Sequence, residues 1–132
     1  MRFIYIYLPA IAYSTLIIYV SSLPQIKTPP VGFDPGDKVL HMIAYFIFGI
    51  LWYRAFSAAE VDRRYPIINV LVLYGFSFAA LDELHQYFVP NREMDFWDFA
   101  ADVTGIILAI VAFKLWADFR SKKAAKKNSD NC

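Results

Sequence analysis

The sequence predicts an all-α, polytopic membrane protein in which four transmembrane helices form a small bundle. The first observation is composition, because 58% of the 132 residues are hydrophobic and 18% are aromatic, more than in an average soluble domain. The second is the presence of four long apolar stretches, and the third is a one-sided distribution of basic residues. A chain of this length forms one domain, and its interior is too small to bury so many apolar side chains. Lipid is therefore the expected solvent.

Each apolar stretch approaches the ~20 residues that a helix needs to cross the hydrocarbon core. The four stretches lie at about residues 3–23, 39–56, 67–88 and 96–116. Backbone groups in lipid must be satisfied within their own segment, so all four should be helical. The first stretch resembles a signal peptide, but Pro9 and the lack of a small-residue cleavage site favour its retention. Residues 1–119 then form the transmembrane domain, and residues 120–132 form a basic tail that we expect to fray.

Basic residues predict the orientation of the bundle. One side carries Arg2, Arg54, Arg63, Arg64, Arg120, Lys122, Lys123, Lys126 and Lys127. The other side has Lys27, Lys38 and Arg92 alone. By the positive-inside rule, both termini should be cytoplasmic, and the first and third connections should face outward. The formal net charge of +1 gives no reason to expect binding to nucleic acid.

Polar residues of three spans are predicted to meet at the outer face. The second span begins with Asp37, Lys38, His41 and Tyr45, of which the last three share one helical face. The third span ends with Asp82, Glu83 and Gln86, and Arg92 follows in the turn. The fourth span carries a single stripe at i, i+3, i+7 and i+10, formed by Asp95, Asp98, Asp102 and Gly105. Ionisable residues inside membrane spans usually face a bundle interior or a wet cavity and mark function.

Some of these residues also have a structural interpretation. Asp37 and Asp95 lie where helix N-caps are expected, so capping and function are both open for them. Ser21 and Ser22, at the end of the first span, are expected to bond to the backbone of their own helix. Asp82, Glu83 and Asp102 lie inside spans, where capping offers no explanation, and function is favoured there. His85, at the outer interface, is expected to be a solvated or hydrogen-bonded side chain rather than a ligand.

The candidate site contains more carboxylates than cationic side chains. Its members are Asp37, Lys38, His41, Tyr45, Asp82, Glu83, Gln86, Arg92, Asp98 and Asp102. Either some carboxyl groups are protonated, or a divalent cation binds among them, since hard ions prefer oxygen ligands. Asp82, Glu83 and Asp98 are the candidate metal ligands. Lys38 and Arg92 either neutralise carboxylates or hold a phosphate group.

At these residues the chain resembles the VanZ-like family of bacterial membrane proteins, over about residues 15–112. The motifs are Ser21-Ser22-x-Pro24, Asp37-Lys38-x-x-His41-x-x-x-Tyr45, Asp82-Glu83-x-x-Gln86, Pro90-x-Arg92, and Asp98 with Gly105 seven residues later. Such proteins often carry Asn four residues after the fourth-span aspartate, where this chain has Asp102. The resemblance implies a multi-pass protein of the bacterial cytoplasmic membrane and cell envelope. The founding member of the family is associated with resistance to the glycopeptide antibiotic teicoplanin.

The leading hypothesis is an outward-facing site for a polar or phosphorylated lipid head group, with membrane lipids as the partners. Lys38 and Arg92 would hold the anion, while Asp82, Glu83 and Asp98 would bind a cation or accept protons. His41 would relay a proton. One alternative is a metal-assisted hydrolase or transferase acting on lipid phosphates. Another is a small ion-coupled transporter, which would require a homo-oligomer because four helices leave little room for a pathway. A third is a purely structural set of ion pairs.

Overall fold

The computed structural model describes residues 2–24, 35–59 and 66–129, and every regular element in these ranges is an α-helix. The helices are α1 (Arg2–Ser21), α2 (Pro35–Ala58), α3 (Ile67–Gln86) and α4 (Phe96–Ser129). All four contain a stretch that is long and apolar enough to cross a membrane. The predicted fold class, an all-α bundle of four membrane-spanning helices, is confirmed.

The helix ends differ from the predicted spans in ways that local chemistry explains. Helix α2 begins at Pro35 rather than at residue 39, because proline suits the first helical turn. Asp37 lies in that first turn, where a negative charge is favourable next to the helix N-terminus. Asp37 is thus inside the helix and is not its N-cap. Helices α1 and α3 both end two residues earlier than predicted.

The expectation that the basic tail frays is wrong as far as Ser129, because α4 continues through it. Lysine, alanine and arginine dominate the segment after Phe119, and all three are strong helix formers. At 1.5 Å per residue, the 34 residues of α4 extend about 51 Å, well beyond the hydrocarbon thickness of a bilayer. The polar C-terminal part of α4 therefore extends beyond the apolar span.

An aromatic core joins α2 to α3. Phe48, which is fully buried, stacks on Phe78 with ring centres 4.7 Å apart. The ring centres of Trp52 and Tyr74 are 4.5 Å apart. Helix α1 packs against α2 and α3, and the indole of Trp52 donates a hydrogen bond of 3.0 Å to the hydroxyl of Ser14 on α1. The core thus fixes α2 and α3 side by side, with α1 at the edge of the bundle.

Helix α2 packs most extensively on α4, and the two backbones approach closely at Gly105. A Cβ atom at Gly105 would overlap the carbonyl oxygen of Met42 and lie 2.8 Å from the backbone nitrogen of Phe46. Both atoms belong to the backbone of α2, so neither can move without shifting the helix. Small residues allow such close packing of helices in membranes. Gly105 thereby sets the spacing of α2 and α4, the two helices that carry most residues of the predicted site.

We expect Gly105→Ala to lower stability by about 1–3 kcal/mol, the usual cost of overpacking a core. Gly75→Ala is the matched control, because its added methyl group would meet Ile106 Cδ1, the far end of a flexible side chain, at 2.9 Å. Thermal unfolding of the two variants in the same detergent measures the difference. Equal losses of stability would show that α2 and α4 are not in this close contact.

Candidate functional site

The C-terminal ends of α1 and α3 meet the N-terminal ends of α2 and α4 at one end of the bundle. All ten residues of the predicted site belong to this end, and hydrogen bonds or ion pairs engage every one of them. The contacts form three groups, one around Lys38 and His41, one around Asp82 and one around Arg92. The structure therefore brings the predicted residues together, although their functional role stays a prediction.

The first group is a cage of carboxylates around Lys38. The Lys38 ammonium nitrogen lies 2.6 Å from Asp95 Oδ2 and 2.5 Å from Asp98 Oδ1. Asp37 Oδ2 is farther away, at 3.4 Å. Only 14% of the Lys38 side chain is exposed, and buried charges are tolerated when they are paired and hydrogen-bonded. Lys38 thus neutralises carboxylates from the start of α2 and the start of α4.

Asp95 is both the N-cap of α4 and an ion-pair partner of Lys38. Its Oδ1 accepts a hydrogen bond from the Trp97 backbone at 2.8 Å, as an N-cap residue does at the start of a helix. Partial burial acts to raise the pKa of Asp95, but the hydrogen bonds from Lys38 and Trp97 and the Lys38 charge outweigh it, and the pKa is lowered. Its backbone N–H also donates to Glu83 Oε2 at 3.0 Å.

His41 joins α2 to α4 one turn deeper in the bundle. Its Nδ1 lies 2.9 Å from Asp102 Oδ1, and its Nε2 lies 4.0 Å from Asp98 Oδ1. Asp102 is completely buried, and its second oxygen, Oδ2, has no hydrogen-bond partner among the described residues. A buried carboxylate oxygen without a partner is costly. Asp102 therefore has capacity left for a further ligand or a proton.

The second group is centred on Asp82 and includes a residue that the sequence interpretation assigned wrongly. Asp82 Oδ2 accepts hydrogen bonds of 3.0 Å from the hydroxyl groups of Tyr45 and Ser21. Ser21 was expected to bond to its own helix, whereas it reaches across from α1 to α3. Ser22 does bond to its own helix, at the carbonyl of Ile18. Asp82 Oδ1, like Asp102 Oδ2, has no partner among the described residues.

The third group holds the end of α1 in place through Arg92. The Arg92 guanidinium donates to the carbonyl oxygens of Val20 and Leu23 and, at 3.0 Å, to Gln86 Oε1. Cationic side chains commonly satisfy the last carbonyl groups of a helix in this way. Of the two alternatives for Arg92, neutralisation of carboxylates is not observed in the described ranges, where its bonds go to neutral oxygens. Gln86 Nε2 in turn lies 3.5 Å from Glu83 Oε1.

A cleft of about 260 Å³ lies between α1 and the polar end of α2. Its walls are apolar side chains of both helices. Its polar lining includes Ser21, Asp37, His41, Asp82 and Arg92. Asp82, at 1% exposed, is the most deeply buried of the five. The cleft therefore combines an apolar wall with both hydrogen-bond donors and acceptors.

The three candidate metal ligands do not form one group in the described residues. Two other sets of side chains place their ligand atoms within 4.8 Å of one another. One set is Asp37, His41 and Asp98, and the other is His41, Glu83 and Asp102. Asp98 and Glu83 are thus in different sets, and Asp82 is in neither. Imidazole appears in both sets because His41 lies between them.

Two hydrogen bonds between the end of α1 and α3 have partners that the sequence did not identify. Ser21 was assigned to its own helix, but it donates to Asp82 of α3. The Ser-Ser-x-Pro motif places Ser21 at the end of α1, which lies next to the end of α3. His85 was expected to be solvated or hydrogen-bonded, and its Nε2 lies 2.9 Å from the Ser22 hydroxyl. Helical periodicity places residues on a face of their own helix, but it does not identify the neighbouring helix.

The four apolar helices and the buried ionisable residues at one end of the bundle together define a small multi-pass membrane protein. Residues 2–117 match the VanZ/LLP1 family, so the chain belongs to this family. Comparisons with curated proteins and with solved structures gave no significant match. The predicted family assignment is confirmed over nearly the whole chain.

The lowered pKa of Asp95 predicts how its charge contributes to stability. A carboxylate with a lower pKa in the folded state stabilises the fold above its unfolded pKa, and this contribution disappears as the pH falls through the folded value. Asp95→Asn keeps an N-cap of equal quality and removes the charge. We therefore expect the variant to unfold at a lower temperature than the wild type at neutral pH, and the difference to vanish in acid.

The measurement is the thermal midpoint in one detergent over a series of pH values. Asp118→Asn, at an exposed position of α4, is the control and should behave like the wild type throughout. A difference between Asp95→Asn and the wild type that persists unchanged into acid would contradict the pairing with Lys38.

Proposed function

We propose that this protein binds the polar head group of a membrane lipid in the cleft between α1 and α2. The observation that carries the proposal is the composition of the cleft, which has buried polar groups at its base and apolar side chains at its opening. Leu16, Val20 and Leu40 line it and are 51%, 49% and 67% exposed. In a bundle of membrane-spanning helices, exposed apolar side chains face acyl chains. A lipid could enter from the side, with its chains remaining in the bilayer.

Arg92 supplies donors for an anionic group. A guanidinium has five N–H donors, and its three hydrogen bonds to Val20, Leu23 and Gln86 use three of them. Two N–H groups remain without a partner among the described residues. Because those three contacts hold the guanidinium at the edge of the cleft, it is preorganised to donate to a phosphate oxygen. Lys38 is less suited to this role, since carboxylates surround its ammonium group.

Asp82 supplies an acceptor deeper in the cleft. Its Oδ2 is occupied by Tyr45 and Ser21, while Oδ1 has no partner among the described residues. A hydroxyl or ammonium group of a ligand would satisfy this oxygen. The ligand class that suits both ends of the cleft is therefore a phosphorylated head group that also carries hydrogen-bond donors.

The family and the predicted orientation support a proposal for the cellular setting. We place the protein in the bacterial cytoplasmic membrane, with both termini inside and the cleft open to the outer leaflet, where cell-envelope lipids are exposed. A change in the availability of such lipids would link the cleft to teicoplanin resistance. Sensitivity to teicoplanin in cells with and without the protein tests that link separately from lipid binding.

Lipid binding can be tested by filling the cleft. Ala44 lines it, and Ala44→Phe would place a ring in the space that a head group needs. We expect phosphatidylglycerol to bind to the wild type and about tenfold more weakly to the variant, a loss of about 1.4 kcal/mol in binding free energy. Native mass spectrometry of the detergent-solubilised protein gives the bound fraction.

Two controls separate head-group recognition from general lipid contact. Ala80→Phe makes the same substitution on an exposed surface of α3 and should bind like the wild type. Diacylglycerol with the same acyl chains lacks the phosphate and should bind weakly to every variant. Equal binding of both lipids, or equal binding to Ala44→Phe and Ala80→Phe, would refute the proposal.

A further inference from the structure

Three metal-ligating side chains from three different helices converge beside the cleft. His41 of α2, Glu83 of α3 and Asp102 of α4 each place a ligand atom within 4.8 Å of the other two. Glu83 and Asp102 are 3% and 0% exposed. Two buried carboxylates at this distance repel one another unless a proton or a cation lies between them.

An unpartnered oxygen within this cluster points to a ligand. Asp102 Oδ1 is paired with His41 Nδ1, but Oδ2 has no hydrogen-bond partner among the described residues, although it is fully buried. A carboxylate oxygen taken out of water without a partner is costly. A bound cation would satisfy this oxygen and would remove the repulsion between Glu83 and Asp102.

The neighbouring set formed by Asp37, His41 and Asp98 is a weaker candidate because it already contains a cation. The Lys38 ammonium lies 2.5 Å from Asp98 Oδ1 and 3.4 Å from Asp37 Oδ2. A metal ion there would have to displace this lysine or lie against its positive charge. The set around Glu83 and Asp102 has no lysine or arginine ion pair in the described part of the chain.

We propose that His41, Glu83 and Asp102 bind a divalent transition-metal ion of the Zn²⁺ or Mn²⁺ type. One imidazole and two carboxylates form a mixed nitrogen and oxygen ligand set, and imidazole favours transition metals over Mg²⁺ or Ca²⁺. The two carboxylates balance the charge of the ion, which favours its burial in a medium of low dielectric constant. Three protein ligands leave at least one coordination position open, as in catalytic zinc sites.

Further contacts hold one ligand in place. Glu83 Oε2 accepts a hydrogen bond from the Asp95 backbone at 3.0 Å, and the Gln86 amide lies 3.5 Å from Glu83 Oε1. Such surrounding hydrogen bonds orient metal ligands and strengthen metal binding. His41 also lines the cleft, so an ion bound to it would lie close to the space proposed for a head group. The metal site does not depend on lipid binding, but it is the feature that the hydrolase or transferase alternative requires.

Metal binding to the full-length protein in detergent tests the assignment. The protein is dialysed against a chelator and titrated with ZnCl₂ or MnCl₂ in a calorimeter, without added lipid. We expect one ion per chain to bind at a single strong site, and Mg²⁺ and Ca²⁺ to bind at least about tenfold more weakly. No binding of Zn²⁺ or Mn²⁺, or tighter binding of Mg²⁺ or Ca²⁺, would overturn the proposal.

The two histidines of the chain provide a matched pair of variants. His41→Gln should weaken binding at least about tenfold, whereas His85→Gln, outside both ligand sets of the described residues, should bind like the wild type. Equal effects of the two substitutions would refute the site. X-ray absorption of the zinc-loaded wild type avoids any misfolding of variants, and it should show one imidazole among oxygen ligands. A sulfur ligand or the absence of imidazole would also refute it.

Discussion

The close contact between α2 and α4 is the constraint on which the rest of the molecule depends. Gly105 allows the backbone of α2 to lie directly against α4, and this spacing brings Lys38 and His41 within reach of Asp98 and Asp102. In a membrane interior, electrostatic attraction is stronger than in water, but an unpaired charge is also more costly. Each pair therefore stabilises the approach of the helices and requires that approach in order to exist.

The remaining two helices attach to this pair through polar contacts as well as apolar packing. Tyr45 of α2 and Ser21 of α1 share the carboxylate of Asp82 on α3, and Arg92 holds the last carbonyl groups of α1. Because α1 lies at the edge of the bundle, the cleft between α1 and α2 has exposed apolar walls. The contacts that hold α1 against α2 and α3 therefore leave a cleft with polar groups at its base and apolar side chains at its opening. This cleft is the basis of the proposed function.

Helical periodicity and hydrophobicity were sufficient to predict the four spans and the residues of the polar end. One face of the second span carries Lys38, His41 and Tyr45. Because ionisable side chains in a membrane span face the interior of the bundle, this face was expected to point away from lipid. The partners of these residues could not be predicted, because periodicity does not say which helix lies opposite. Ser21 was therefore assigned to its own backbone instead of Asp82, and the bonds from Arg92 to the carbonyl groups of Val20 and Leu23 were not predicted. The helical tail was missed because polarity was given more weight than the helix propensity of lysine and alanine.

The central claim is that buried polar pairs join α2 to α4, and a double-mutant cycle between His41 and Asp102 tests it most directly. Unfolding free energies of His41→Gln, Asp102→Asn and the double variant are measured in one detergent with chelator present, so that metal binding does not contribute. Residues in direct contact within one network should show a coupling energy of about 1 kcal/mol or more. Effects that add to within about 0.5 kcal/mol, as expected for distant residues, would contradict the account.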